Sequence, residues 1–255
     1  MEVSRDLLAK ILKQKRVLLL LDFDGTLCPL VSHANRARLT SARRKLLREL
    51  AIEPRYLAVI SGRSLTDLQK RVALRGITYC GSFGLEMRGP KWKFLHPRVP
   101  AFENKLKILR NNLSTLLRDI PGIHIEGKKW SLTLHYRNVP NRYLPLWRAR
   151  MASFRRQGGL RDFRQIQGDR AREIFPDVGW DKGDAALLLW HRMDKPYLLA
   201  IGNDSADEDM FRVIRRKGSA IRVGRKNGSW APYYLRDVKQ IYRFLEELSV
   251  VEPLK

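Results

Sequence analysis

Apolar positions fall in two rhythms along the chain. Over residues 1–16, Leu7, Leu8, Ile11 and Leu12 form one helical stripe. From Val17 to Leu21 every position is apolar, which predicts a strand covered on both faces, as in a parallel sheet. A helix follows over Thr40 to Leu50, with Leu39, Ala42, Leu46, Leu47 and Leu50 at helical spacing. Tyr56 to Ile60 reads as a second buried strand. Ser64 then caps a helix, with Asp67 three residues on, and Thr78 to Cys80 is a third short strand. This β-α-β-α-β order predicts an α/β fold built on a parallel sheet.

The rhythm then changes. Leu85 to Arg88 and Trp92 to Leu95 read as a hairpin around Gly89-Pro90, and Pro100 to Leu117 as a long helix. Ile123 to Glu126 and Trp130 to Tyr136 alternate like antiparallel strands. Leu144 to Phe154 is helical, and residues 163–167 and 172–175 are strand-like. The α/β rhythm returns with helices at Gly183 to Trp190, Ala206 to Arg215 and Arg236 to Leu248, and strands at Tyr197 to Ile201 and Ala220 to Val223. The expected organisation is a Rossmann-like core, residues 1–86 and 178–255, interrupted by an α+β domain at 87–177.

The 255 residues, 44% of them hydrophobic, suffice for a real core. The longest early apolar run is too short to cross a membrane, or to serve as a signal peptide, and it leads straight into Asp22. A cytoplasmic protein with no membrane segment is expected. Two cysteines, Cys28 and Cys80, lack metal-site spacing and are too few for a disulfide scaffold; they read as buried thiols. The net charge of +24 bears on partners rather than fold. It suits an anionic small molecule. It also keeps open a basic nucleic-acid-binding protein, since Asn141 to Arg172 holds nine arginines against two aspartates, with Trp147 and Phe154 interleaved. Charge is spread along the whole chain, however, so nucleic acid is not the expected partner.

Chemistry gathers where strands end. Asp22-Phe23-Asp24-Gly25-Thr26-Leu27 follows the first strand, and that edge of an open α/β sheet is where ligands bind. Two such close carboxylates call for a cation, and Mg²⁺ is the one held by one or two carboxylates plus waters; a solvated acidic turn would read the same. Ser61-Gly62-Arg63 ends the second strand and could cradle an anion, or simply turn. Lys182, at a helix start where the dipole disfavours it, suggests service on a phosphate, although a lone surface lysine would read the same. Ile201-Gly202-Asn203-Asp204-Ser205-Ala206-Asp207-Glu208-Asp209 carries more acid than helix capping explains.

Four motifs in this order resemble those of the haloacid dehalogenase superfamily. Finer marks resemble its trehalose-6-phosphate phosphatase family: Gly81-Ser82-Phe83-Gly84-Leu85-Glu86, Ser131 to Arg137, Glu173-Ile174, Trp180 to Gly183, Gly202 to Phe211 and Tyr234 to Val238. The inserted block then resembles a type-2 (C2B) cap. The resemblance implies an Mg²⁺-dependent phosphatase with Asp22 as nucleophile and Asp24 as acid and base. Ser61, Gly62, Arg63 and Lys182 would hold the phosphoryl group. The metal would be held by Asp22, Asp24 and the last motif, from Asn203, Asp204 and Asp207. Glu86, Arg88, Lys128, Arg137 and Glu173 would bind sugar. Trehalose 6-phosphate is the implied substrate, another sugar or glycosyl-glycerate phosphate the alternative, and a trehalose-phosphate synthase a candidate partner. Phe83 stands where the family has His, Asn203 replaces the first acid of the last motif, and Ala206 replaces Thr.

Overall fold

A computed structural model describes residues 1–31, 36–53, 55–168 and 170–250. In chain order it begins α1 (Arg5–Leu12), β1 (Val17–Asp22), α2 (Ser41–Leu50), β2 (Arg55–Ile60), α3 (Leu65–Val72), β3 (Thr78–Gly81), β4 (Glu86–Gly89) and β5 (Trp92–Leu95). Next come α4 (Glu103–Leu117), β6 (His124–Gly127), β7 (Leu132–His135), α5 (Leu144–Arg156), β8 (Phe163–Gly168) and β9 (Ala171–Pro176). It closes with α6 (Lys182–Arg192), β10 (Tyr197–Gly202), α7 (Asp207–Ile214), β11 (Gly218–Val223), β12 (Tyr233–Leu235) and α8 (Val238–Val250). The chain forms two compact units, Met1–Phe94 with Trp180–Lys255, and Leu95–Gly179.

The first unit holds an eight-stranded sheet in the order β12-β11-β10-β1-β2-β3-β4-β5. Strands from β12 through β3 pair in parallel, and β4 runs antiparallel to β3. All six β1 residues are buried, as a strand covered on both faces must be. Alternation then sorts its side chains. Leu19 and Leu21 join Leu47, Leu68 and Leu245 from α2, α3 and α8 on one face. Leu18 and Leu20 join Ala185, Leu189, Met210 and Phe211 from α6 and α7 on the other. From β1 the chain passes to β2 and β3 on one side; later it returns to β10, β11 and β12 on the other. The strand order reverses between β1 and β10, and in open sheets of this kind ligands bind beyond the C-terminal ends of the strands at such a point.

The second unit carries an antiparallel sheet, β6-β7-β9-β8. Leu106, Leu109, Leu113 and Leu117 of α4 and Trp147 and Met151 of α5 share a core with Leu132, Leu134 and Ile174 of the sheet. A 3₁₀ turn over Val99–Phe102 precedes α4, so the α-helix starts later than its apolar pattern suggests.

Two further features differ from the sequence reading. The β4–β5 hairpin, expected within the inserted domain at 87–177, belongs to the first unit, because Cys80 and Met87 pair and Met87 is wholly buried. Strand β12 was not foreseen: three mixed residues carry no periodic signal. Cys28 and Cys80 are free and buried. Among the described residues no helix is long and apolar enough to cross a membrane.

Candidate active site

Asp22 is the last residue of β1 and is 3% exposed. Ser61 follows Ile60, the register partner of Asp22 on β2, so both lie at one rim. Asn203 follows β10 on the other side of β1. The turn after Asp22 needs Gly25, whose φ is +86° and whose missing Cβ would come 2.3 Å from the Asn203 side chain.

Lys182 is the centre of the site. A capping box of Asp181 and Asp184 sets the start of α6 and puts Lys182 in its first turn. Its side chain is 1% exposed, and its Nζ donates to Asp22 Oδ1 at 2.8 Å and to Asp207 Oδ1 at 2.7 Å. Burial works against the ammonium, but Asp207, Asp22 and Asp204 overcome it and raise Lys182 well above the usual lysine range. It is therefore a fixed positive charge. Burial also pushes Asp22 well above the usual carboxylate range, against the pull of Lys182, with Asp207 and Asp204 adding repulsion. Asp207 is pushed up to about 6 by the same burial. Asp204 goes the other way: burial would raise it, but Lys182 and neighbouring hydrogen bonds hold it below its ordinary value. One ammonium among three buried carboxyl groups leaves negative charge that a proton or a cation must balance.

The oxygens near Asp22 suit a divalent cation. The Asn203 carboxamide head lies 3.1 Å from Asp22 Oδ2 and 2.8 Å from the Asp24 carbonyl oxygen. Presenting its NH₂, it donates to both and to Thr26 Oγ1; presenting its oxygen, it accepts from the Thr26 hydroxyl at 3.1 Å. In the second orientation the Asn203 oxygen stands at 3.1 and 2.8 Å from the Asp22 and Asp24 oxygens, spacings close to the edge of an Mg²⁺ octahedron, about 2.9 Å for bonds of 2.0–2.1 Å. Among the described residues no three His, Cys, Asp or Glu side chains form a ligand set. One carboxylate, one backbone carbonyl and one carboxamide are, however, the hard oxygen donors that Mg²⁺ accepts.

Asp204 and Asp207 shape the loop that carries Asn203. Asp207 Oδ2 accepts from the amides of Asn203 and Asp204 at 2.8 and 3.0 Å, and Asp204 Oδ1 from those of Ala206 and Asp207 at 2.9 and 3.1 Å. Both were candidate metal ligands. Asp207 instead spends its carboxylate on Lys182 and the loop. Arg222, which the sequence did not single out, donates to the Asn203 and Asp204 carbonyls and to Glu208 Oε1.

Arg63 also departs from expectation. It was placed on the phosphate, but its guanidinium binds both oxygens of Asp24 at 2.7 Å and Asp67 at 2.8 Å. Ser61 Oγ accepts from the Arg63 amide at 3.2 Å. Gly62 lies under the Phe83 ring, which would come within 2.7 Å of a Cβ there. Phe83 itself sits at φ 60°, its amide donating to the Ser61 carbonyl at 2.9 Å. It is thus part of the packing behind the turn.

The sugar-binding candidates fall in two groups. Glu86 and Arg88 share β4 in the first unit, Glu86 opposite Gly81 and Arg88 opposite Tyr79. In the second unit, Lys128 Nζ meets Glu173 at 2.9 and 3.0 Å, while Ser131 and Thr133 hydroxyls each donate to Glu173 at 2.6 Å. Ser131 and Thr133 were not singled out individually, although their alternation put both on one face. Arg137 lies past the other end of β7 and is exposed.

Asp22 and Lys182 paired at the switch point of this sheet are the arrangement expected of a phosphatase of the haloacid dehalogenase type. Residues 20–238 match the Trehalose-phosphatase family, and the chain belongs to that family. It is 30% identical to trehalose-phosphate phosphatase B of Arabidopsis thaliana over 257 residues, covering 92% of this chain and 67% of that one. It is 32% identical to the probable trehalose-phosphate phosphatase C of the same plant, covering 92% and 77%. In fold it is similar to the C-terminal domain of Candida albicans trehalose-6-phosphate phosphatase, with a TM-score of 0.82, 21% identity and 98% of each chain covered.

Proposed function

We propose that this enzyme hydrolyses trehalose 6-phosphate to trehalose and phosphate through an aspartyl-phosphate on Asp22. The observation that carries the reading is the buried Lys182 ammonium bound to the Asp22 carboxylate. Asp22 then has one oxygen tethered to Lys182 and the other 3.1 Å from the Asn203 side chain.

In the first step an Asp22 oxygen bonds to phosphorus. The ester P–O bond breaks, and Asp24 delivers a proton to the departing sugar oxygen. In the second, Asp24 takes a proton from water, whose oxygen bonds to phosphorus; the acyl-phosphate P–O bond breaks and Asp22 is restored. Ser61, the Gly62 amide and Lys182 hold the phosphoryl oxygens through both steps. Asp22, the Asp24 carbonyl and Asn203 would hold Mg²⁺. Bound there, the ion would supply positive charge to offset that of the phosphoryl group and of Asp22. On the second unit, the Lys128, Ser131, Thr133 and Glu173 cluster offers a charged, hydrogen-bonding face suited to sugar hydroxyls, with Glu86, Arg88 and Arg137 as further candidates. Free, buried thiols fit a cytoplasmic setting, and a synthase producing the sugar phosphate is the natural partner.

The test is phosphate release from a panel of sugar and glycosyl-glycerate phosphates, with Mg²⁺ and with chelator. Trehalose 6-phosphate should have the highest kcat/KM, and chelator should stop turnover. A different preferred substrate would move the specificity assignment and leave the chemistry standing; full activity in chelator would remove the metal.

A further inference from the structure

The site leaves one strong contact unused by the chemistry above: the fork of Arg63 on Asp24. We propose that Arg63 is a positioning residue that fixes the Asp24 carboxylate for its proton transfers, and that Asp67 and Arg71 hold Arg63 in place to do so. The proposal rests on the acid–base role given to Asp24.

Asp24 needs such help. It lies in the turn beyond β1, and its side chain is 34% exposed. An aspartate there would exchange rotamers in solvent, and a proton transfer requires the oxygen within hydrogen-bond reach of one particular atom. Arg63 supplies the restraint. Nε donates to Asp24 Oδ2 and Nη2 to Oδ1, both at 2.7 Å, so two parallel charge-assisted bonds fix the plane of the carboxylate. Each oxygen keeps a second lone pair for the proton it handles.

Arg63 is held from its far side. Nη1 donates to Asp67 Oδ2 at 2.8 Å; the same oxygen accepts from Arg71 Nε at 2.7 Å, and Arg71 Nη1 reaches the Ala37 carbonyl at 3.1 Å. The guanidinium carbon stands 5.3 Å from the centre of the Phe23 ring, and only 9% of the Arg63 side chain is exposed. The chain of support thus runs from buried backbone to Arg71, to Asp67, to Arg63, to the carboxylate. Asp67 with Arg63 and Arg71 could be read as ordinary i, i+4 pairs stabilising the start of α3. That reading does not account for the fork, which spans 39 residues to a different element and uses two nitrogens on one edge.

Leaving-group dependence separates the two roles. A sugar alkoxide must be protonated as it leaves; p-nitrophenolate need not be. The experiment measures kcat/KM on trehalose 6-phosphate and on p-nitrophenyl phosphate for the parent, Asp24→Asn, Arg63→Gln, Arg63→Lys and Asp67→Asn. Asp24→Asn is the benchmark and should lose on the order of 10²–10⁴-fold on the sugar phosphate and far less on the aryl ester. Arg63→Gln is expected to show the same selective loss, about 10–100-fold. Arg63→Lys keeps the charge and the reach to Asp67 but not the fork, and should recover little of it. Asp67→Asn should lose a few fold with the same selectivity, and serves if Arg63→Gln does not fold. Equal losses on both substrates for Arg63→Gln, or full recovery with lysine, overturn the proposal while Asp24→Asn remains selective. If Asp24→Asn itself treats both substrates alike, the acid role fails and this proposal falls with it.

Discussion

Replacing Asn203 by Asp changes one atom group at the most charge-sensitive point of the site. The carboxamide head lies 3.1 Å from Asp22 Oδ2 and 2.8 Å from the Asp24 carbonyl oxygen. Without a cation the amide can turn its NH₂ toward both, so the metal-free site is internally satisfied. A carboxylate has no such orientation. Two unit charges at 3.1 Å repel by about 5 kcal/mol at an effective dielectric of 20. The lost hydrogen bonds add roughly 1 kcal/mol each, and protonation of one carboxylate caps the total. The metal-free variant should therefore lose about 3–5 kcal/mol of stability. At about 2–4 °C per kcal/mol for a chain of this size, that is a fall of roughly 6–20 °C in Tm. With Mg²⁺ the sign reverses, because an anionic ligand replaces a neutral one; affinity should rise on the order of 10–100-fold. Isothermal titration with Mg²⁺ and melting curves with and without chelator read both effects without reference to turnover. If Asn203→Asp binds Mg²⁺ no tighter, and melts in chelator at the parent's temperature, the placement of the cation beside Asn203 is wrong.

Other expectations follow from the same contacts. Lys182→Ala strands two buried carboxylates, so denaturant unfolding should report a loss of about 3–5 kcal/mol together with loss of turnover. Glu173→Gln removes the charge that Lys128, Ser131 and Thr133 converge on; KM for trehalose 6-phosphate should rise about tenfold while p-nitrophenyl phosphate is unaffected. Asp67 is shielded from water by burial, which would raise it, yet Arg71 and Arg63 hold it below its usual value of 3.8. Its contribution to stability is thus complete above that value and disappears as pH falls below it, and Asp67→Asn should flatten this part of the acid denaturation curve. Burial pushes the Cys28 thiol up to about 11 and Cys80 higher still. A thiol reagent at pH 8 should label neither in the native protein and both in urea.

Much of the core was readable before the structure, for a physical reason. Strands such as Val17–Asp22 and Tyr197–Gly202 are buried on both faces and announce themselves by unbroken apolar runs. The acids and hydroxyls directly after them then mark the functional rim. What depended on tertiary pairing was not readable. The β4–β5 hairpin is visible as a hairpin, but that Met87 lies against Cys80 is a fact of register. Arg63 follows a strand in the manner of a phosphate ligand, and nothing local says that its fork turns to Asp24. Asp67 and Arg71 are spaced like a surface helix pair; only burial of Arg71 against the Ala37 carbonyl makes them a support. Lys182 shows the opposite case. Its awkward place at a helix start is a sequence signal, and the structure supplies the two carboxylates that explain it.

The central claim is the covalent bond to Asp22, and it can be seen directly. Enzyme mixed with trehalose 6-phosphate and Mg²⁺, quenched in acid within one turnover and digested, should yield a phosphorylated peptide containing Asp22, its phosphate released by hydroxylamine. Phosphate carried on any other residue, or a quenched enzyme free of phosphate while product accumulates in a burst, would contradict the account.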